Sequence, residues 1–444
     1  MFRGVWTLSV GDRRVEWVLA GLSMSTVTVE RTTGILLVDG KRVFPIVLSN
    51  APPLGGKTPS GRDGLAELAA AGANFLRTGR ADWSLERVDQ QIAAERVRLD
   101  AAAAHGLHCW PWLGDAPNLP VQSGSTQERL LVRIINGLKD HPALGAYKGI
   151  DEPANPLRAP NRIPAAGLVR AYRRLKKLDP AHPMVVIQAP RGPVSDLVPY
   201  RPAFDITGAD IYPVSYPPGV HADAPNREIS VVGDVTRKMV DAAGGKPVWM
   251  TLQIAWSGVT PSRRRPDRVP RFPNLQQERF MAYEAIVNGA RGLAFFGGHL
   301  TQVTSGVDAR LGWNWTFWEL VLRPLLRELT STAVQPALLA PNVTSSVEAT
   351  AKDIELATRR DGSFLYLIAL RRGGATSRVG FSGLPRRHDG TAITGGQVLF
   401  EYVQDPLPPP IGAGRQVFRS VGITSGRFRD WFGPQDVHVY RFRL

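Results

Sequence analysis

Two adjacent carboxylates, Asp151 and Glu152, are the residues of this sequence best suited to acid–base chemistry. They follow the apolar segment Gly145–Ile150 and precede Pro153, which ends the strand that this segment predicts. Because two like charges in one buried site disfavour each other's ionisation, one of the two pKa values should rise. A carboxyl group with a raised pKa is suited to general acid catalysis, which the cleavage of a glycosidic bond requires. The alternative is structural: Asp151 caps the next helix, or Glu152 pairs with an arginine.

Polar and aromatic side chains recur after the other short apolar segments. They are Asn50, Arg77, Trp110, Trp112, Gln188, Asp210, Tyr212, Gln253, Trp256, Phe296 and His299. Aromatic rings can stack on the apolar faces of sugar rings, and carboxylates and amides can bind sugar hydroxyls, so this set predicts a carbohydrate site. The sequence has neither a glycine-rich phosphate loop nor a histidine pair at metal-ligand spacing, and we therefore expect no cofactor and no metal.

The elements that must position these residues are short apolar segments that alternate with longer amphipathic ones. The predicted strands are Val43–Leu48, Asn74–Arg77, His108–Trp112, Gly145–Ile150, Met184–Gln188, Ile206–Ile211, Val248–Ile254 and Gly292–Phe296. The predicted helices are Gly64–Ala71, Ser84–Ala104, Thr126–Leu138, Ala165–Leu178, Val194–Tyr200, Ile229–Ala243, Leu275–Asn288 and Trp315–Thr330. Eight such units predict an α/β fold, a closed (β/α)8 TIM barrel, in which the carboxyl ends of all strands meet at one rim. An open doubly wound sheet is the alternative, but the first strand is not followed by the expected glycine-rich turn.

A change of pattern near Pro336 predicts a second domain. The helical period ends there, and short alternating segments separated by turn residues follow. We expect the barrel to occupy residues 27–335 and a small C-terminal antiparallel β-sandwich to occupy residues 336–444. Residues 1–26 carry a short, interrupted apolar run, which suggests a degraded leader, a mis-set start codon or a disordered arm.

Residues 35–330 resemble the glycoside hydrolases of clan A, (β/α)8 enzymes that include β-galactosidases and cellulases. Arg77 matches the arginine that ends the clan's second strand, and Asp151-Glu152-Pro153 resembles its Asn-Glu-Pro segment, in which the glutamate is the acid/base. Asp210-Ile211-Tyr212-Pro213 resembles the strand-six segment that carries a tyrosine. The resemblance implies a glycosidase with Glu152 as its general acid.

The end of strand seven departs from the clan's pattern, because Gln253 stands where the clan has its nucleophilic glutamate. An amide cannot attack an anomeric carbon, so three hypotheses remain. The favoured one is that Asp210 supplies the second carboxylate and acts as a base on water, with inversion and a carboxyl separation of about 6.5–9.5 Å. The second is that Glu278 or Glu284 reaches in from the seventh helix. The third is a non-catalytic carbohydrate-binding barrel.

Two further clusters each have two interpretations. The segment 262–271 holds five arginines after strand seven, and it is either a recognition loop for an acidic group, such as a uronate, sulfate or phosphate, or a solvated loop. Trp313, Trp315 and Trp318 follow strand eight and either line a sugar subsite or close the barrel wall.

Composition excludes several classes of protein. The formal net charge of +15 is spread along the chain, so we expect a carbohydrate partner, an acidic one among the options, and no nucleic acid. The single cysteine, Cys109, excludes a disulfide framework and a cysteine metal cage. No stretch approaches the ~18–20 apolar residues that cross a bilayer, so we expect no membrane partner, while a cytoplasmic and a secreted location both stay open.

Overall fold

The computed structural model describes residues 5–10, 13–18, 25–158, 162–255, 263, 266–269, 271–299, 305–403 and 415–444. Its strands are β1 (Val5–Val10), β2 (Arg13–Val18), β3 (Val27–Val29), β4 (Leu36–Val38), β5 (Lys41–Val43), β6 (Ile46–Leu48), β7 (Phe75–Leu76), β8 (His108–Cys109), β9 (Tyr147–Lys148), β10 (Met184–Gln188), β11 (Ile206–Ala209), β12 (Val248–Gln253), β13 (Ala290–Phe296), β14 (Glu348–Ala349), β15 (Ile354–Asp361), β16 (Phe364–Arg371), β17 (Ser377–Ser382), β18 (Gly395–Val403), β19 (Arg415–Gly422), β20 (Phe428–Phe432) and β21 (Val437–Arg443). Its α-helices are α1 (Gly64–Ala70), α2 (Val88–Ala103), α3 (Thr126–Leu138), α4 (Ala165–Leu178), α5 (Val194–Leu197), α6 (Val231–Ala243), α7 (Leu275–Val287), α8 (Gly306–Leu311), α9 (Trp315–Phe317), α10 (Arg323–Leu329) and α11 (Gln335–Leu339).

The eight strands β6 to β13 form one parallel sheet in which neighbours in space are neighbours in the chain. β13 pairs with β6, and β8 meets β9 through the bridges Cys109–Leu144 and Trp112–Lys148, so the sheet closes on itself. Helices cover its outside. This closed sheet confirms the predicted (β/α)8 barrel, whose connections put all eight carboxyl ends at one rim.

Local sequence explains where the barrel helices begin and end. The Ser125 hydroxyl accepts a hydrogen bond from the Glu128 amide at 3.2 Å and so caps α3, and Asn274 with Gln277 forms a capping box on α7. Gly244 ends α6 in the left-handed region, at φ 60°, which glycine adopts without a steric penalty. Among the described residues, no helix is long and apolar enough to cross a membrane.

The amino end of the barrel is plugged by the small antiparallel sheet β3–β4–β5. Val27, Leu36 and Val38 of this sheet pack into the barrel interior with Phe75 and Trp249. Among the described residues, this sheet covers the amino end of the barrel interior. The predicted first strand, Val43–Leu48, is split at this point, because Pro45 lacks an amide hydrogen and separates β5 in the plug from β6 in the barrel.

The C-terminal region is an antiparallel β-sandwich, as predicted. One sheet has the order β15-β16-β21-β18-β19 and the other the order β14-β17-β20. Apolar side chains from both sheets, including Leu367, Phe381, Phe432 and Tyr440, form the core between them. At the other end of the chain, within the predicted leader or arm 1–26, β1 and β2 pair as an antiparallel hairpin.

The outer face of the larger sandwich sheet packs on the barrel. Tyr366, Ile368, Leu370 and Val439 belong to the same apolar cluster as the helices of the barrel wall. Successive side chains in a strand point to opposite faces. Alternate residues of β16 therefore pack in the core of the sandwich and against the wall of the barrel.

Candidate active site

A cavity of about 610 Å³ opens at the carboxyl end of the barrel. Its lining includes eight of the predicted site residues, which are Arg77, Trp110, Trp112, Asp151, Glu152, Asp210, Tyr212 and His299. Asn50 and Phe296 line it as well. The volume lies in the ordinary range of small-ligand pockets. Residues as far apart in the chain as Asn50 and His299 thus meet in one place.

Glu152 and Asp210 form a carboxyl pair at the centre of this cavity. With His221 they offer ligand atoms, one from each residue, that all lie within 4.8 Å of one another. Burial, reinforced by the negative charges of Glu152 and Asp151, raises the pKa of Asp210 well above its usual value. The site therefore favours the protonated form of Asp210.

This contact corrects the inverting geometry expected for Glu152 and Asp210. Two carboxyl groups that activate a water on the opposite face of a sugar stand about 6.5–9.5 Å apart, whereas Glu152 and Asp210 offer oxygens within 4.8 Å of each other. This separation is too short for the attacking water of an inverting enzyme to fit between the two groups. They form one acidic unit instead.

The backbone holds Glu152 in a strained conformation. Its φ of 45° lies in the left-handed region, which is uncommon for a residue other than glycine. The Glu152 amide donates to the Ile187 carbonyl at 2.9 Å, and the Asn155 side chain donates to Glu152 Oε2 at 2.8 Å. Strain of this kind is found at functional sites more often than elsewhere, because surrounding contacts must maintain it.

Asp151 faces two cations on another side of the cavity. Lys148 Nζ donates to Asp151 Oδ1, and both Lys148 and Arg77 lie over the Trp112 ring, at 5.1 and 5.4 Å from its centroid. Burial alone would raise the pKa of Asp151, but Lys148 and then Arg77 outweigh it and hold that pKa below its usual value. Asp151 is therefore a carboxylate, in contrast to Asp210, whose pKa is raised.

Aromatic rings form the wall behind Asp210. Tyr212 stacks on Phe296 with centroids 5.6 Å apart, and it contacts the His221 ring at 4.3 Å. His221 Nε2 lies 3.7 Å from Asp210 Oδ2. Burial, with a smaller effect of the Arg191 charge, lowers the pKa of His221 to about 3, so this imidazole is neutral at physiological pH. Burial also lowers the pKa of His299.

Gln253 does not line the cavity, which corrects the prediction of a substrate contact there. Its side chain is fully buried, its Oε1 accepts from the Val214 amide at 3.0 Å, and its Nε2 donates to the Val214 carbonyl at 2.7 Å. The oxygen and the nitrogen of this one side-chain amide thus both bind Val214, and they hold the segment after β11 against the end of β12. Thr251, two residues earlier in the same strand, is the β12 residue that reaches the cavity.

Other predicted positions also lie elsewhere. Trp313 is buried and donates its indole hydrogen to the Asn50 carbonyl at 2.6 Å, so with Trp315 and Trp318 it closes the barrel wall. Glu278 and Glu284 are fully buried within α7 and do not line the cavity. Burial raises the pKa of both, that of Glu284 to about 9. Trp256 lies outside the described residues.

Sequence reasoning missed several cavity residues, among them His221, Arg191, Asn155 and Lys148. His221 and Arg191 lie in long connections without periodicity, and Asn155 follows the Pro153 turn, so nothing local indicated where their side chains would go. Lys148 is different, because alternation along the strand puts it on the same face as Ile150, but the local pattern does not say whether that face points into the barrel. Only the closure of the barrel placed Lys148 against Trp112 and Asp151.

Glu152, Asp210 and His221 are also the residues that could hold a metal ion. Two carboxylates and one imidazole are a common ligand set for divalent metals. The raised pKa of Asp210 belongs to the metal-free site, so a bound cation would have to displace the proton of Asp210. The cations of Arg77, Lys148 and Arg191 line the same cavity and oppose a further positive charge.

Comparison with solved structures gives the same fold. A glycoside hydrolase family 5 protein from Bacteroides vulgatus ATCC 8482 has a TM-score of 0.59 at 13% identity, with 94% of this chain and 92% of that chain covered. Another chain, described as a glycoside hydrolase, gives 0.57 at 12% identity over 96% and 98%. A GH30 endoxylanase from Clostridium papyrosolvens C71 gives 0.50 at 11% identity over 95% and 100%. No protein-family model and no curated protein matches the sequence. The chain therefore has the fold of the clan A (β/α)8 glycoside hydrolases, a barrel followed by a C-terminal β domain.

Proposed function

We propose that this protein is a glycoside hydrolase that cleaves an O-glycosidic bond of a sugar or polysaccharide, with Glu152 as its general acid. The observation that carries the proposal is that the carboxyl groups of Glu152 and Asp210 meet inside the cavity at the carboxyl rim of the barrel, where burial and the neighbouring negative charges raise the pKa of Asp210. Two carboxyl groups in one site, one of them with a raised pKa, are what glycosidic cleavage requires of its acid–base residues. The aromatic rings of Trp112, Tyr212 and Phe296 beside the pair suit a sugar ring.

In the proposed reaction, Glu152 gives its proton to the oxygen of the leaving group as the bond between that oxygen and the anomeric carbon breaks. The Glu152–Asp210 pair is then one charge more negative and stabilises the positive charge that develops on the sugar. A water molecule adds to the anomeric carbon and returns one proton to the pair. Asp151, held as a carboxylate by Lys148 and Arg77, is placed to bind a sugar hydroxyl.

Hydrolysis of a panel of aryl glycosides by the wild type and by Glu152→Gln tests this function. General acid catalysis contributes about 10²–10⁴-fold, so we expect the variant to lose activity by that factor on substrates with poor leaving groups. Glu86→Gln is the matched control, because Glu86 is exposed and outside the cavity. Equal rates for wild type and Glu152→Gln would dispose of the assignment.

A non-catalytic carbohydrate-binding barrel is the second candidate function. It is favoured by Gln253, whose amide is committed to Val214 and supplies no nucleophile at the end of β12. Calorimetry would then show binding of a sugar without turnover of any glycoside in a broad panel. Measurable cleavage of even one glycoside, lost in Glu152→Gln, would eliminate this candidate.

A further inference from the structure

The charges that line the cavity are not balanced. Four cationic side chains, Arg77, Lys148, Arg191 and Arg268, face three carboxyl groups. One of the three, Asp210, keeps its proton. The cavity as a whole therefore carries an excess of positive charge beside the proposed acid.

This excess is larger where Arg191 and Arg268 lie. Near Trp112, the Asp151 carboxylate offsets one of the two positive charges of Lys148 and Arg77. On the other side, Arg191 donates to the Val220 carbonyl at 2.8 Å and Arg268 donates to the Tyr216 carbonyl at 3.2 Å. Both arginines are thus anchored to the same connection after β11, by neutral backbone oxygens.

Arg191 and Arg268 have no ion-pair partner in the part of the chain that the structure describes, where no carboxylate oxygen lies within 4.0 Å of either guanidinium. The Nε group of Arg268 is buried and makes no hydrogen bond to a described residue. His221 Nε2 lies 3.7 Å from Asp210 Oδ2, and its imidazole is neutral. It therefore supplies no charge that could balance the two arginines. Both side chains are only partly buried, so water can solvate them, and their free hydrogen-bonding capacity beside the cavity is available to an anion supplied by the ligand.

We propose that Arg191 and Arg268 bind the acidic group of an anionic sugar, so that the substrate of the cavity is a uronate or a sulfated glycoside. The proposal rests on the proposed function, because it takes the cavity to be a sugar site. A guanidinium fork matches the two oxygens of a carboxylate and two of the three oxygens of a sulfate ester, which neutral sugars lack. Both sources of negative charge share this chemistry, and the experiment separates them.

Direct binding to the wild-type protein is the first measurement, since free sugars need no turnover. Calorimetry compares D-glucuronate with D-glucose, D-galacturonate with D-galactose, and galactose 6-sulfate with galactose. We expect each acidic sugar to bind about 10- to 100-fold more tightly than its neutral partner, the range of one or two charge-assisted hydrogen bonds. The stronger of the uronate and sulfate preferences identifies the natural group.

The variants Arg191→Gln and Arg268→Gln are the second measurement. Each should weaken binding of the acidic sugar by about 10-fold or more and leave the neutral sugar unchanged. Arg173→Gln is the control, because Arg173 is exposed on α4 outside the cavity. Arg191→Lys keeps the charge but removes the fork, so it should fall between wild type and Arg191→Gln, and it carries the test if Arg191→Gln does not fold.

Two results would overturn the inference: neutral sugars that bind as tightly as their acidic partners, or variants that weaken acidic and neutral sugars equally. Failure of the proposed function looks different, because acidic sugars would then bind preferentially while no glycoside of the panel is cleaved.

Discussion

At the residue scale, environment divides two neighbouring carboxyl groups into different roles. Asp151 is held ionised by Lys148 and Arg77, whereas the Glu152 carboxyl group lies beside that of Asp210, whose pKa is raised. The positive φ of Glu152 makes this possible, because it directs consecutive side chains toward different partners. Adjacent residues that differ so sharply in surroundings are typical of acid–base sites.

The protonation of Asp210 predicts a dependence of stability on pH. Because its pKa is raised in the folded state, folded protein binds this proton more tightly than unfolded protein does. The contribution of Asp210 to the free energy of unfolding therefore falls as the pH rises above the unfolded value of about 4. Asp210→Asn, which cannot ionise, should match the wild type at pH 4 and exceed it at pH 8 by on the order of 1–3 kcal/mol.

Urea denaturation at the two pH values measures this difference. If the variant is active, the alkaline limb of its pH–activity profile should also move to lower pH, since the site has lost the partner that retains the proton. Asp115→Asn is a suitable control, because Asp115 is exposed and outside the cavity. A stability difference that does not change between pH 4 and pH 8 would show that Asp210 is ionised in the folded protein.

At the element scale, Gln253 joins the end of β12 to the segment that follows β11. This segment includes Tyr212 and His221 and forms one wall of the cavity. The side-chain amide satisfies both the donor and the acceptor of Val214, which a carboxylate cannot do. The two hydrogen bonds to Val214 therefore explain why a glutamine stands at position 253.

We expect Gln253→Glu to destabilise the protein by about 2–3 kcal/mol at neutral pH. The new carboxylate would be fully buried and would face the Val214 carbonyl without a hydrogen to donate. Lowering the pH should reduce the loss, because the protonated acid can donate again. Gln253→Met, which leaves both Val214 groups unbonded at every pH, is the control whose loss should not vary with pH. A Gln253→Glu variant as stable as the wild type at pH 7 would contradict this account of the Gln253–Val214 hydrogen bonds.

At the scale of the whole molecule, α7 joins the barrel to the sandwich. Arg279 forms a two-pronged ion pair with Glu328 of α10, at 2.8 Å, and donates to the Val437 carbonyl of β21 at 2.7 Å. Tyr283 donates to the same carboxylate at 2.8 Å. Because this network is buried and lies beside the shared apolar cluster, we expect barrel and sandwich to unfold in one cooperative transition.

Arg279→Met should lower the free energy of unfolding by about 3–5 kcal/mol, since it leaves the buried Glu328 charge without its main partner. The double variant Arg279→Met/Glu328→Leu should recover part of the loss, because both buried charges are then gone. Urea denaturation followed by fluorescence and by circular dichroism measures both effects. Separate transitions for the two probes in the wild type would show that the domains unfold independently.

The sequence by itself determined the order and nature of the elements. Hydrophobic period is a local property, so the alternation of short apolar and amphipathic segments was enough to predict eight strands and the bounds of α3 and α4. The rule that reactive groups follow barrel strands then brought Arg77, Glu152, Asp210 and His299 to one cavity.

Only the tertiary structure decided how these groups face one another. Whether Glu152 and Asp210 stand apart or meet depends on the curvature of the barrel and on a single backbone conformation. The orientation of Gln253 and the arrival of Arg191, His221 and Arg268 depend on long connections, whose sequences carry no period. Separations of a few ångströms between residues far apart in the chain are set by the packing of many elements at once, and local sequence pattern does not encode them.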